Sequence, residues 1–351
     1  ARQAGMSGAQ PAAVSTPKSL RQIIQLYPSL REPVIDGLLR EGETLNVISA
    51  PKIGKALAVD TPILTDNGWA AMGEIRPGMK VHACDGMLTE VVAVSEVMHD
   101  RPCYRVTTKS GASVVADENH LWLVRQGAHS EVVATKDLSR GRHGQRWRLP
   151  VAGPLVRKSA TLPLDPWLLG YWLGSGTARE GSTTINTLDI AHIYGCILRA
   201  KFDIGLITHH GGATTFTVIG LKPRLRDMQL LNNKHIPPNY LLASREQRAA
   251  LLAGLMDSGG CAATLGNGSS QVEFCSTEPT LAMQVLSLAR SLGYRAAFGV
   301  QRAMFNGTDC GPKLRVTFVA EQKQSPFFLP RKTAALPARA PSARSFVDAI
   351  V

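Results

Sequence analysis

The sequence predicts an all-β domain over residues 56–158, followed by an α/β domain over 159–328 made of two pseudo-symmetric halves. Three observations carry this. From 56 to about 155, short β-like runs are separated by turn signals at Asp66-Asn67-Gly68, Arg76-Pro77-Gly78 and Asp85-Gly86, the spacing of a compact β domain. From about 161, helical and strand patterns alternate. Two apolar helical stretches, Pro166–Leu173 and Gln247–Met256, each run into a glycine-containing turn, as an internal repeat does.

The elements follow in order. Residues 1–17 are rich in Ala, Gln, Gly, Ser and Pro and read as a flexible lead-in. Residues 18–40 hold an amphipathic helix and a connector, and Thr44–Ile48 reads as a strand. In the β domain, Val91–Val94 and Cys103–Thr107 have strand character. In the α/β domain the strand candidates are Thr214–Ile219, Val272–Cys275 and Leu314–Val319, with a helix over Thr280–Ser291. Cys310 is expected in a loop. Residues 329–351 read as a basic, Pro/Ala-rich linker and then the start of a strand returning to the β domain.

The chain has 351 residues, 44% of them hydrophobic, enough for sizeable cores. Lys and Arg number 39 against 27 Asp and Glu, a formal charge of +12, which favours a polyanionic partner such as nucleic acid. None of the six cysteines forms a C-x-x-C pair or a metal spacing with histidine. With no signal peptide and no apolar run near membrane-spanning length, a cytoplasmic location and no membrane partner are expected.

A phosphate-binding loop breaks off in mid-motif. The strand Leu45–Ile48 runs into Ser49-Ala50-Pro51-Lys52-Ile53-Gly54-Lys55, as in G-x-x-x-x-G-K-[ST], with Ser49 in the first glycine place. Ser49, Lys52, Gly54 and Lys55 are the candidate phosphate-binding residues. The next residue, which holds Mg²⁺ in that motif, is Ala56, and a strand-like pattern follows instead of a helix. The site is either dead or interrupted. Residues 1–55 resemble the N-terminal part of RecA-like ATPases of the replicative-helicase and phage type, so they read as a host fragment.

Ala56–Trp69 resembles the first sequence block of inteins, a small residue followed by x-D-T-P-I-x-T-x-x-G-W. Gly111–His120 resembles the next block, G-x-x-x-x-x-T-x-x-H, with Asp117 in the usual Thr place. The resemblance implies a Hint (horseshoe-like) splicing domain and cis-splicing at Lys55–Ala56 without a cofactor. Ala56 lacks the hydroxyl or thiol that normally attacks the preceding carbonyl. It reads either as a dead or knocked-out intein or, together with Trp122, as one of the class 3 inteins, in which a later Cys attacks the junction directly. In this reading His120 protonates the leaving amine, and Asp117 orients it or bonds the junction backbone. The blocks that would carry that Cys and a terminal Asn are not found. A C-terminal continuation is therefore expected to be required, and the chain as written is not expected to splice.

Leu168–Gly176 and Leu252–Gly260 resemble the paired helices of LAGLIDADG (DOD-type) homing endonucleases, as does Lys234-His235-Ile236-Pro237 before the second copy. The acid in each motif's eighth place binds Mg²⁺ in that family; here those places are Ser175 and Gly259. The resemblance implies double-stranded DNA as a partner with cleavage lost, Mg²⁺ being needed only by an active nuclease. Asp257 is read as capping or packing at the helix end, and Lys234 as a phosphate contact or an exposed lysine. The alternatives are a site-specific DNA endonuclease or DNA-binding protein with vestigial splicing blocks, and a P-loop ATPase.

Overall fold

The computed structural model describes residues 33–35, 39–40, 56–108, 112–126, 129–140, 147–150, 152–264, 270–305 and 308–338. The expected lead-in, the helix preceding residue 33, the strand Thr44–Ile48 and the loop residues Ser49, Lys52, Gly54 and Lys55 lie outside them. The chain divides into two compact units, Ala1–Ile53 and Gly54–Val351. In the first, β1 (Pro33–Ile35) pairs antiparallel with β2 (Leu39–Arg40).

The second unit begins with antiparallel strands. β3 (Pro62–Thr65), β4 (Gly68–Ala71), β5 (Lys80–His82) and β6 (Leu88–Glu90) form a sheet in the order β4-β3-β5-β6. The predicted Asp66-Asn67-Gly68 turn joins β3 to β4, with Gly68 at φ +114°, a backbone that favours glycine. β7 (Cys103–Thr107) pairs with β8 (Ser113–Asp117), and β9 (Leu121–Gln126) with β10 (His129–Ala134). A small core of Val106, Val124, Leu138 and Trp147 lies here, with Trp122 packed on it. The expected strand Val91–Val94 does not form. Val91 bonds Gly78 and Met79 at the end of the β5–β6 ladder, and beyond it Val92 is 84% exposed with no strand partner among the described residues. β-propensity alone does not make a strand.

The α/β part repeats one topology. The first half contains α1 (Pro166–Ser175), β11 (Ser182–Asn186), α2 (Ile190–Arg199), β12 (Ile204–His210), β13 (Ala213–Val218), α3 (Leu221–Asp227) and α4 (Pro238–Leu241). The second contains α5 (Arg245–Gly259), β14 (Gly260–Thr264), β15 (Ser270–Ser276), α6 (Pro279–Ser291), β16 (Ala297–Phe305), β17 (Thr308–Phe318) and α7 (Pro330–Ala334). Sheet order is β14-β15-β17-β16 in the second half and β11-β13-β12 in the first, where a Gly176–Thr183 bridge stands in place of β14. The expected strands and helices of this domain are all present. Cys310 lies within β17 rather than in a loop, a correction.

Both long central helices start on local chemistry. Asp165 accepts from the Leu168 amide at 3.0 Å ahead of Pro166. Ser244 and Gln247 form a reciprocal capping box. α1 and α5 then pack against each other through glycine. A Cβ on Gly170 would meet the Leu251 carbonyl oxygen at 2.1 Å, and one on Gly254 the Trp167 carbonyl oxygen at 2.0 Å. These reciprocal contacts let the two backbones touch, and they seat the core formed by Leu168, Leu169, Trp172, Leu251, Leu255 and Phe274. The segment from Phe327 to Leu336, assigned to a linker from 329 by composition, belongs to this core: Phe327, Leu329 and Leu336 are buried in it.

Candidate functional site

Residues 56–58 lie along β8 as a short extra strand. The Asp117 amide donates to the Ala56 carbonyl at 3.0 Å, Leu57 bridges Ala116, and the Ala58 amide donates to the Val115 carbonyl at 3.0 Å. Strand pairing thus brings the first block's leading residue onto the second block. The Ala56 side chain is a methyl group and offers no nucleophile.

Beyond β8 the chain turns tightly. The Asn119 amide donates to Asp117 Oδ1 at 2.8 Å, and the His120 amide to the Asp117 carbonyl at 3.0 Å. A side-chain carboxylate that binds its own backbone two residues on builds such a turn. Asp117 is almost fully buried, and the Arg101 guanidinium holds it in a two-point ion pair, Nε to Oδ2 and Nη2 to Oδ1. Burial pushes its carboxyl up, but the hydrogen bonds from Arg101 and the Asn119 amide outweigh burial and hold it below the usual carboxylate range. Asp117 was expected to orient His120 or to bond the junction backbone. Its carboxylate bonds Arg101 and the Asn119 amide, and its own backbone amide bonds the Ala56 carbonyl.

His120 begins β9's approach, and Trp122 braces it. The two rings meet edge-on, with centroids 5.0 Å apart and planes at 72°. Trp122 Nε1 donates to Thr135 Oγ1 at 2.9 Å. Thr135 returns two bonds to the His120 carbonyl, from its amide at 2.9 Å and its hydroxyl at 3.2 Å. Lys136 Nζ reaches Asn119 Oδ1 at 2.8 Å. The structure therefore gathers Ala56, Asp117, His120 and Trp122, the residues singled out in the sequence. It adds Arg101 and Thr135, which sequence reasoning missed. The one signal available for Arg101 was a buried aspartate that needs a cation.

The four residues singled out in the second domain lie at the C-terminal ends of α1 and α5. Ser175 Oγ shares a hydrogen bond of 2.7 Å with Thr183 Oγ1. A Cβ on Gly259 would sit 3.1 Å from the Phe274 ring and 3.4 Å from the Gly174 carbonyl. Asp257 is buried. It accepts from Trp167 Nε1 at 2.9 Å and from the Phe328 and Leu329 amides at 3.0 Å each. Burial pushes its carboxyl up. Lys234 is neither exposed nor free for phosphate, a correction. Its ammonium donates to the carbonyls of Trp172, Leu173 and Gly176 at 3.3, 3.1 and 2.6 Å. Lys332 makes the matching bonds to Met256, Asp257 and Gly260 at 2.9, 2.7 and 2.7 Å. A cation at the negative end of each helix adds a donor to the last-turn carbonyls, two of which, Trp172 and Met256, also accept the amides of Gly176 and Gly260. Burial lowers both lysines to about 8.

No known family profile matches the chain. A replicative DNA helicase DnaB of Mycobacterium intracellulare is 33% identical over 312 residues, 82% of this chain and 50% of the helicase. A second DnaB, from Mycobacterium leprae, is 44% identical over 89 residues, 25% of this chain and 15% of that protein. The chain spans half the length or less of these curated relatives. The solved Msm DnaB1 intein splicing domain bound with zinc is 38% identical, covers 28% of this chain and 70% of that one, and superposes with a TM-score of 0.24. Mesophilic variants of the homing endonuclease I-DmoI are 16% identical over 44% of this chain and 84% of theirs, with a TM-score of 0.31. Among the described residues no helix is long and apolar enough to cross a membrane.

Proposed function

We propose that the chain is an intein of a DnaB replicative helicase carrying a LAGLIDADG-type domain, and that its reaction is cleavage of the Lys55–Ala56 bond. One observation carries this reading: the Ala56 carbonyl is hydrogen-bonded to the Asp117 amide, three residues before His120. Ala56 has no attacking atom. The nucleophile is then a cysteine thiolate elsewhere in the precursor. It forms a thioester with the Lys55 carbonyl carbon while the C–N bond to Ala56 breaks, and His120 gives the proton that the leaving amine takes up. Trp122 packs edge-on against the His120 ring, and Thr135 holds the His120 carbonyl. After excision, Ser49, Lys52, Gly54 and Lys55 rejoin the rest of the host's nucleotide loop, whose backbone amides and lysine bind the phosphates of ATP. Expressing the full precursor and weighing its products tests this. Ligated host and free intein are expected, with both lost in His120→Ala; unchanged ligation in that variant overturns the assignment.

The second domain is proposed to bind duplex DNA without cutting it. Residues 159–328 carry 15 Lys and Arg against 11 Asp and Glu, a net positive balance, and with the two sheet-bearing halves this supports binding, which needs no metal. The residues present do not fit Mg²⁺. Ser175 is a neutral hydroxyl already bonded to Thr183, Gly259 has no side chain, and Asp257 is committed to Trp167 and two amides. No step through a metal follows. Binding that weakens steeply with salt, without nicking of the uninterrupted host gene, is the expected result; strand cleavage refutes it.

A further inference from the structure

We propose that Arg101 is a positioning residue for the splice junction, acting through Asp117. The proposal rests on the reading of His120 and Ala56 given above. Asp117 does three things at once. Its amide holds the Ala56 carbonyl, its Oδ1 receives the Asn119 amide, and its carbonyl receives the His120 amide. The junction strand and the histidine turn therefore hang on one residue, and that residue is a buried carboxylate. The intein block it resembles carries an uncharged threonine here. A charge in this place stays buried only with a partner, and Arg101 supplies it at two points.

The remaining charged and titratable groups around the pair are Glu118 and Cys103, which act on Arg101, and His120, which acts on Asp117. Lys136 is occupied by Asn119 Oδ1. Glu118 is tied through its amide to the Pro102 carbonyl at 2.9 Å, next to Arg101 in the chain. Arg101 is thus the main cation that the Asp117 carboxylate answers to, ahead of the weaker pull from His120. Without it, His120 is the charged group left acting on the carboxylate, and the pair couples more strongly. Two consequences follow: the junction strand loosens, and the histidine holds its proton more tightly.

The test uses the full precursor carrying Arg101→Met, Arg101→Lys, Asp117→Thr with Arg101→Met together, and His120→Ala. Arg101→Met is expected to slow junction cleavage about 10- to 100-fold, the scale of a small misplacement of reacting groups. Its pH profile is expected to move upward by about one unit, the scale of an added neighbouring carboxylate. Arg101→Lys recovers part of the rate. The double variant, which removes the charge and its partner together, recovers most of it, because a threonine hydroxyl can still accept from Asn119. Wild-type rate and pH profile in Arg101→Met overturn the proposal. So does a folded double variant, checked by circular dichroism, that is as slow as the single one. If His120→Ala splices normally, the underlying reading fails; if only the Arg101 series is silent, the positioning role fails alone.

Discussion

Gly254→Ala is the substitution whose sign separates two physical arguments. Gly254 lies inside α5, where alanine is favoured over glycine by about 1 kcal/mol on helix propensity alone. The packing argues the other way. The new methyl would sit 2.0 Å from the Trp167 carbonyl oxygen and 2.6 Å from the Tyr171 amide nitrogen, both backbone atoms of α1. Relaxed contact needs roughly 3.5 Å, so the two helices must part by more than about 1 Å at their crossing. Both helices are buried there, with Leu169, Leu251 and Leu255 at 0% exposure, and the core cannot absorb the shift. Overpacking of this kind costs about 3 kcal/mol at the upper end of its range. The net expectation is a loss of about 2 kcal/mol. Gly195→Ala in α2 is the control, since its Cβ would meet only the Arg199 guanidinium at 3.9 Å. It is expected to gain up to about 1 kcal/mol. Urea unfolding followed by tryptophan fluorescence measures both. A Gly254→Ala protein as stable as the parent, or two variants that shift alike, refutes the close helix contact.

Asp117→Asn is expected to be less stable than the parent at neutral pH, and the gap should close in acid. The folded carboxyl sits below its unfolded value, so its contribution is present above about pH 4 and is lost as pH falls through the folded value; a gap that widens in acid, seen in Tm against pH, would contradict the ion pair. Trp122→Phe removes the indole donor to Thr135 while keeping an aromatic ring against His120. It is expected to cost about 1 kcal/mol in thermal unfolding and to slow precursor processing, whereas a variant indistinguishable in both assays would remove Trp122 from the site. Millimolar Mg²⁺ is expected to leave Tm unchanged, and a saturable rise would reveal a cation site that the side chains at 175 and 259 do not supply.

Much of the architecture was legible because it is periodic. The strand Cys103–Thr107 and the helices over Pro166–Ser175 and Pro279–Ser291 follow from alternation, capping and apolar spacing. The reciprocal glycines 170 and 254 stand at the same place in the two copies of one motif. What escaped depends on contacts between segments far apart in the chain. Val92 and Val94 have strand propensity but no ladder partner among the described residues. Lys234 looked like a surface lysine, and only the end of α1, some sixty residues earlier, turns it into a helix cap. Residues 329–336 looked like a linker because proline and alanine dominate their neighbourhood, yet Asp257 binds the Leu329 amide from inside the core. At the junction, His120, Asp117 and Trp122 were legible as a block, but the Arg101–Asp117 ion pair spans sixteen residues with no pattern to mark it.

The central claim is that the bond preceding Ala56 is the one that breaks. Intact-mass and N-terminal analysis of the intein released from the full precursor locates that bond directly. The account predicts a released polypeptide beginning at Ala56, with Lys55 joined to the downstream host sequence in the ligated product. A released polypeptide beginning at any other residue, or a precursor that stays whole while its His120→Ala variant behaves identically, would contradict it.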